Sequence, residues 1–207
     1  MKTNNVTNEE KEIATKNARK DMLMDLGPYI IIIVFVVLIR TFIATPVRVN
    51  GTSMDPTLKN GDTMVLYKLT KKVRGIKRGD IVVIETENGK LIKRVIGLPG
   101  ETITFKIEQK DDKVTNILYV NGKKVKEKYL KEENRDKTCS SPVSMNEDGI
   151  WPLCKTEIKV PEGEYYVLGD NRGNSKDSRM IGTVTEEEIL GTTELVLFPF
   201  SRFGIKD

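Results

Sequence analysis

Between Tyr29 and Ile39 the chain carries an uninterrupted apolar run, YIIIIVFVVLI, and no other segment matches it in hydrophobicity. A run of about eleven residues is short for a bilayer, but Phe42, Ile43 and Ala44 continue it past Arg40. The extended stretch, Pro28 to Thr45, is about 18 residues, or roughly 27 Å of helix against a hydrocarbon core of about 30 Å. Arg40 lies near one end, where its stem can follow apolar surface while the guanidinium reaches water. Upstream, Thr7-Asn8-Glu9-Glu10 has the form of a capping box, and Lys11, Lys16, Arg19 and Lys20 make the following helix polar and basic. Gly27-Pro28 is expected to end that helix and begin the apolar one. A cleaved leader fits less well, because Phe42 and Thr45 do not supply a small-x-small processing site and the leading tail is long. The pattern predicts a tail over 1–27 and a transmembrane helix over 28–45.

After Pro46 the period changes. Short runs rich in branched and aromatic residues, MVLYKL, IVVIE, KLIKRVI, TITFKI, ILYV, YYVLG and ELVLF, are separated by Gly, Pro and Asn. This is the pattern of antiparallel strands. Asn121-Gly122, between ILYV and KKV, is a two-residue hairpin signal. Residues from about 108 to 155 are more polar, with dense mixed charge, and predict an insertion that leaves and rejoins the main domain. The expected architecture is one N-terminal transmembrane helix and a mostly β ectodomain of antiparallel sheets. That ectodomain is built from 46–107 and 156–207 and interrupted by a cap-like subdomain over 108–155.

Composition narrows the chemistry. A chain of 207 residues with 38% hydrophobic content can bury one substantial core. Its 34 basic and 30 acidic residues are interspersed, so nothing calls for nucleic acid as a partner. The histidine count is zero, which removes the commonest general base and the commonest metal ligand together. Two cysteines, Cys139 and Cys154, are too few for a Cys-rich zinc site. No metal and no cofactor is expected, and a hydrolase made from this chain must take its base from Lys, Asp or Glu.

The run LIKRVI, Leu91 to Ile96, offers such a base. At period two, Leu91, Lys93 and Val95 share one face while Ile92, Arg94 and Ile96 share the other, so each cation lies between apolar neighbours. An ordinary lysine, with a pKa near 10.4, is almost wholly protonated at neutral pH and needs desolvation to serve as a base. Lowering the pKa by about two units costs roughly 3 kcal/mol, an amount burial beside Leu91 and Val95 can supply. Arg94 does not titrate and reads as structural.

Three stretches combine around that lysine: VNGTSMDPTLKNGD at 49–62, LIKRVIGLPGE at 91–101 and YYVLGDNRGNSKDSRMIGTV at 165–184. Singly, a serine in a turn, a lysine in a strand and a polar Asn/Gly loop are ordinary features. In this order, behind a hydrophobic anchor, they resemble the type I signal peptidases, membrane-bound serine proteases that remove signal peptides from exported proteins. The resemblance runs from the anchor onward and is weak across 108–155. It implies a signal-peptidase/LexA-like β-fold with Ser53 as nucleophile, Lys93 as general base and Ser175 as the hydroxyl that orients the lysine. It also implies a pair between Asp177 and Arg179, and Asp170 is expected to partner Arg94. Gly51, two places before Ser53, matches the Gram-positive-like branch and leaves the oxyanion hole to backbone N–H groups, chiefly that of Ser53. The absence of histidine excludes the endoplasmic-reticulum-type branch, whose base is a histidine. LexA-like repressors share the dyad but are soluble and carry a DNA-binding domain, for which no helix-turn-helix pattern is present.

The function so implied is that of a membrane-anchored serine endopeptidase without cofactor. Its partners would be preprotein signal peptides, the lipid bilayer and the protein-export translocon. Val47, Val49, Leu58 and Ile92 are expected to line shallow apolar pockets that select small residues such as Ala at the first and third positions before the cut. A single-pass topology in the cell membrane is expected, tail in the cytoplasm and β-domain outside. In that location Cys139 and Cys154 can form a disulfide. Two other readings fit the same layout: a membrane-tethered β-domain that binds export substrates without cleaving them, and a maturation protease dedicated to one secretion system.

Overall fold

Ile81, Val82, Val83 and Ile84 are all buried, although a strand with one face in water would bury only every second residue. The reason lies in the layering. Ile81 and Val83 pack with Val49, Met54, Leu58, Met64 and Val196, whereas Val82 and Ile84 pack with Ile76, Val95, Val167 and Ile189. This strand is therefore covered on both faces, which explains its continuous apolar sequence.

The computed structural model describes residues 8–110, 113–140 and 157–206. They fall into two units, one ending at Ile43 and the other beginning at Ala44. The first is a helix, α1 (Asn8–Leu38), closed by a π-helical turn over Ile39–Ile43. The segment Met24–Ile43, 20 residues long, is apolar enough to cross a membrane, and its length of about 30 Å matches a hydrocarbon core. Two sequence expectations are corrected here. Gly27-Pro28 does not break the helix, because Pro28 lies inside α1; proline removes one donor and leaves the rest of the ladder intact on either side. The helical segment also stops earlier than Thr45: Ala44 and Thr45 are already in a strand, paired with Tyr67 and Leu66.

The second unit holds two sheets. The larger contains β1 (Ala44–Arg48), β2 (Thr63–Tyr67), β3 (Ile81–Thr86), β4 (Gly89–Gly97), β9 (Glu164–Leu168), β10 (Val184–Thr185), β11 (Ile189–Phe198) and β12 (Gly204–Ile205). Its order is β1-β2-β11-β3-β4-β9-β10, with β12 attached to β11. Strand β1 was not anticipated because Pro46 interrupts it; as the outermost strand it accommodates a residue without an N–H. The smaller sheet has the order β7-β6-β5-β8 and comprises β5 (Thr102–Lys110), β6 (Lys113–Val120), β7 (Lys123–Val125) and β8 (Ile158–Lys159). Short helices α2 (Thr70–Val73), α3 (Glu132–Arg135), α4 (Lys137–Ser140) and α5 (Ser178–Ile181) fill the connections.

The expected hairpin is present: Val120 pairs with Lys123, and Asn121 and Gly122 take φ of 48° and 74°, the double left-handed turn that suits strand twist. Of the stretch expected as an insertion, 108–155, residues 111–112 and 141–155 lie outside the described residues; the described part contributes to the smaller sheet, whose first strand begins at Thr102 and whose last ends at Lys159. It shares a core with the larger sheet rather than standing apart. Ile103, Phe105, Leu118, Val120 and Val160 pack against Ile96, Tyr166 and Leu168. At the handover a Cβ on Gly97 would stand 2.8 Å from Val160 and 3.1 Å from Tyr166, so only glycine lets the two sheets close up there.

Candidate active site

Strand β4 is the wall common to the cores: Ile92 belongs to one cluster, Val95 to a second and Ile96 to the third. Both of its cations are buried as a result, Lys93 and Arg94 each being 2% exposed. The two solve the problem of a buried charge differently. Arg94 forms a two-pronged ion pair with Asp170, Nε to Oδ1 at 2.9 Å and Nη2 to Oδ2 at 2.8 Å, and donates to the Gly79 carbonyl at 2.8 Å. Its guanidinium carbon also lies 4.0 Å from the centroid of the Tyr129 ring. Lys93 has no carboxylate in contact among the described residues. Its Nζ donates to Ser53 Oγ at 2.8 Å and to the Ile92 carbonyl at 3.0 Å. Burial pushes the Lys93 amine down to about 8; the carboxylates of Asp177 and Asp170 act against this, and Arg179 adds to it.

Ser53 sits in the turn joining β1 to β2. Gly51 opens that turn at φ +100°, a conformation that residues with a side chain rarely adopt, and its N–H donates to Asn60 Oδ1 at 3.0 Å. Buried Met54 and Leu58 then anchor the turn in the core. Four bonds tie it to the segment after β9: Asn171 N–H to the Ser53 carbonyl at 3.0 Å, Asn171 Nδ2 to the Thr52 carbonyl at 3.1 Å, Asn174 Nδ2 to Thr52 Oγ1 at 3.3 Å, and Thr57 Oγ1 to Asp170 Oδ2 at 2.6 Å. The Ser53 N–H takes no part in these bonds and is a donor available to an oxyanion beside Oγ.

The loop after β9 is itself held by paired charges. Asp177 caps α5, receives Arg179 Nε and Nη2 at 2.8 Å each, and accepts the Gly169 N–H at 3.0 Å. Asp177 and Arg179 thus form the pair expected from the sequence. Gly169-Asp170-Asn171-Arg172 was expected to fold this loop against Ser53 and Lys93, but the particular parts played by Arg172, Gly169 and Arg202 were not specified by the sequence. Arg172 is fully buried, with Nε on the Gly169 carbonyl at 3.1 Å, Nη1 on Thr138 Oγ1 at 2.8 Å, and an ion pair to Glu127. It joins the loop after β9 to the segment beyond β7 and to α4. Arg202 pairs with Asp62 at 3.0 Å and donates to the Thr57 carbonyl at 3.1 Å, bracing the nucleophile turn from the far end of the chain. Gly169 is required by space alone: a Cβ there would fall 2.2 Å from Ser175 Oγ and 2.4 Å from the Ser53 carbonyl oxygen.

Ser175 departs from expectation. It is buried beside Gly169, but its hydroxyl has no hydrogen-bond partner among the described residues, so the bond to Lys93 is not formed in this geometry. Leu58 departs as well. A cleft of about 300 Å³ in front of the dyad is lined by Val47, Val49 and Ile92, as expected, together with Ser53 and Lys93. Leu58 is not among its walls; it is wholly buried with Met54 and Met64, because the turn directs it inward. Cys139 is buried against the smaller sheet, and Cys154 lies outside the described residues. Among the described residues no group of acidic or sulfur ligands could hold a metal ion.

Such an arrangement can do nucleophilic chemistry: a hydroxyl in contact with an amine of depressed pKa, beside a free N–H donor, is suited to acyl transfer. Comparison with known proteins places the chain in a family. Residues 23–198 match the family model described as signal peptidase, peptidase S26. The chain is 42% identical to Signal peptidase I of Bacillus licheniformis, over 96% of this chain and 99% of that protein. It is 41% identical to Signal peptidase I T of Bacillus subtilis (strain 168), over 95% of this chain and 97% of that one. A crystal structure of a signal peptidase I from Enterococcus faecalis V583 is 33% identical, covering 58% of this chain and 97% of that chain with a TM-score of 0.40.

Proposed function

The chain belongs to the signal peptidase family, peptidase S26, and we propose that Ser53 and Lys93 are the dyad with which it works. The enzyme is a serine endopeptidase that removes signal peptides from exported preproteins. The observation that carries the assignment is the 2.8 Å contact between Lys93 Nζ and Ser53 Oγ inside a desolvated wall. With the amine neutral that contact reverses, the hydroxyl donating to Nζ. Ser53 Oγ then attacks the scissile carbonyl as its proton passes to Lys93, and the Ser53 N–H receives the developing oxyanion. Lys93 returns the proton to the leaving amine, and a water activated by the same amine releases the acyl group. Asp177–Arg179 and Arg94–Asp170 hold the two loops that meet at the dyad. With substrate bound, Ser175 would act as the acceptor that orients Lys93, its buried hydroxyl having no partner among the described residues.

Substrate would enter as an added strand. Among the described residues the outer edge of β1 is unpaired, and β4 is paired with β9 only from Arg94 onward, which leaves the Lys90–Ile92 backbone open on that side. Both edges border the cleft. A peptide laid there gains backbone hydrogen bonds while alternate side chains meet Val47, Val49 and Ile92, surfaces that favour Ala at the first and third positions before the cut. We further propose anchoring by the apolar helix with the tail inside and the β-domain outside, next to the exported chain. The deciding experiment incubates the detergent-solubilised protein with a synthetic precursor bearing Ala at both positions and sequences the new N-terminus. Cleavage after the second Ala by the wild type and none by Ser53→Ala is expected. Cleavage that survives in Ser53→Ala would sink the dyad.

A further inference from the structure

The cleft before the dyad is charged in one sense only. Its lining residues, 47–50, 53, 54 and 90–93, include three cations, Arg48, Lys90 and Lys93, and no carboxylate. Lys93 is committed to Ser53, but Arg48 and Lys90 are exposed, and neither side chain has a hydrogen bond or ion pair among the described residues. Three acids of the surrounding turns are engaged elsewhere, Asp170 with Arg94, Asp177 with Arg179 and Asp62 with Arg202, and Asp55 and Glu87 do not line the cleft. Glu85 opposes Lys90 in register across β3 and β4 but does not line the cleft.

One unpaired surface cation means little, since it is solvated at no cost. Two of them, carried on the two strands that frame a cleft with apolar walls, set a field of a single sign along the path of whatever enters. Arg48 stands on β1 and Lys90 on β4, so a peptide between these strands passes a cation on either hand. An extended peptide that turns its first and third residues before the cut toward Val47, Val49 and Ile92 turns its second and fourth residues away from those walls.

We propose that Arg48 and Lys90 form a charge filter at the cleft, favouring precursors with a carboxylate, and disfavouring those with lysine or arginine, at the second or fourth position before the cut. The inference rests on the reading of Ser53 and Lys93 as the dyad and deepens it by naming the substrate class selected at that site.

The test uses the full chain in detergent and fluorogenic precursor peptides carrying Asp, Asn or Lys at the second position, with a parallel series at the fourth. At one of them kcat/KM for Asp should exceed that for Asn by roughly threefold to tenfold at about 50 mM salt, falling toward unity at about 500 mM. Lysine should fall below Asn by a similar factor, and the change should appear mainly in KM. Both ratios should approach one in R48Q/K90Q and persist in R48K/K90R. Should R48Q/K90Q fail to fold, each single substitution is expected to remove part of the ratio. Flat ratios at both positions in the wild type overturn the filter, as do ratios that survive loss of both cations. The Asn peptide separates the two levels. If it is cut by the wild type and spared by S53A while the ratios are flat, only the filter fails; if it is not cut, or is cut by S53A, the dyad reading fails with it.

Discussion

Replacing Lys93 by methionine should abolish activity and yet stabilise the protein at neutral pH. The amine titrates at about 8 in the fold against 10.5 for an ordinary lysine, so burying its charged form costs about 3 kcal/mol at pH 7. The sign follows from the proton count. Below about 8 both folded and unfolded chains hold the proton, and the whole cost applies. Between about 8 and 10.5 the unfolded chain holds more protons, so wild-type stability rises with pH relative to the variant. Above 10.5 the cost is gone. Methionine forfeits the bonds from Nζ to Ser53 Oγ and the Ile92 carbonyl, together about 1–2 kcal/mol. Lys93→Met should therefore be more stable than wild type by about 1–2 kcal/mol at pH 7 and less stable by a similar amount at about pH 10.5. Urea unfolding in detergent, followed by far-ultraviolet circular dichroism at several pH values, measures the difference; other titrating groups cancel between the two proteins. A stability difference that does not change with pH would refute the depressed pKa and with it the lysine as base.

Wild-type kcat/KM should rise with pH through an apparent pKa of about 8, as neutral Lys93 accumulates, and Lys93→Arg should be inactive because guanidinium does not give up its proton. Gly169→Ala forces a Cβ to within 2.4 Å of the Ser53 carbonyl; it should lower stability by about 1–3 kcal/mol and cut activity by roughly a hundredfold as the nucleophile turn shifts, both read on the same preparation. Asp170→Asn strands the buried Arg94 charge and should cost about 3–5 kcal/mol in unfolding free energy, whereas an exposed-pair substitution such as Asp80→Asn, opposite Arg74, should cost less than about 1 kcal/mol. Non-reducing peptide mapping should recover Cys139 and Cys154 in one linked fragment, and breaking that link should lower stability by roughly 3 kcal/mol.

The meeting of Ser53 and Lys93 was legible because the two sit in contrasting local patterns: a cation inside an apolar strand, and a serine in a Gly-bounded turn. Arg94–Asp170 was legible for the same reason, since a buried guanidinium needs a carboxylate and GDNR offers one. Arg172 was not. It lies in a polar Asn/Gly loop and is paired in the core only because Glu127, from the loop beyond β7, and Thr138, from α4, arrive there. Gly169 likewise looked like a turn glycine, while the constraint on it is the approach of two chain segments. Leu58 was misplaced because apolar character close to a nucleophile does not say whether a side chain faces the cleft or the core. The period-two pattern of β4 separates Lys93 from Arg94, but it does not tell that both faces are covered, because that coverage is decided by partners remote in sequence.

The alternation along β4 also limits how this gene can change in length. Lys93 and Arg94 are adjacent and emerge on opposite faces, so deleting one residue between Gly89 and Lys93, with pairing to β3 maintained from the hairpin, would slide arginine into the place opposite Ser53. A guanidinium would then stand where an amine must lose a proton, and the ion pair to Asp170 would lose its partner in the same event. Length variation among functional descendants is therefore confined to the Glu87–Asn88 turn and the loops beyond Gly97, and β4 itself behaves as a segment of fixed count in which substitutions are survivable but indels are not.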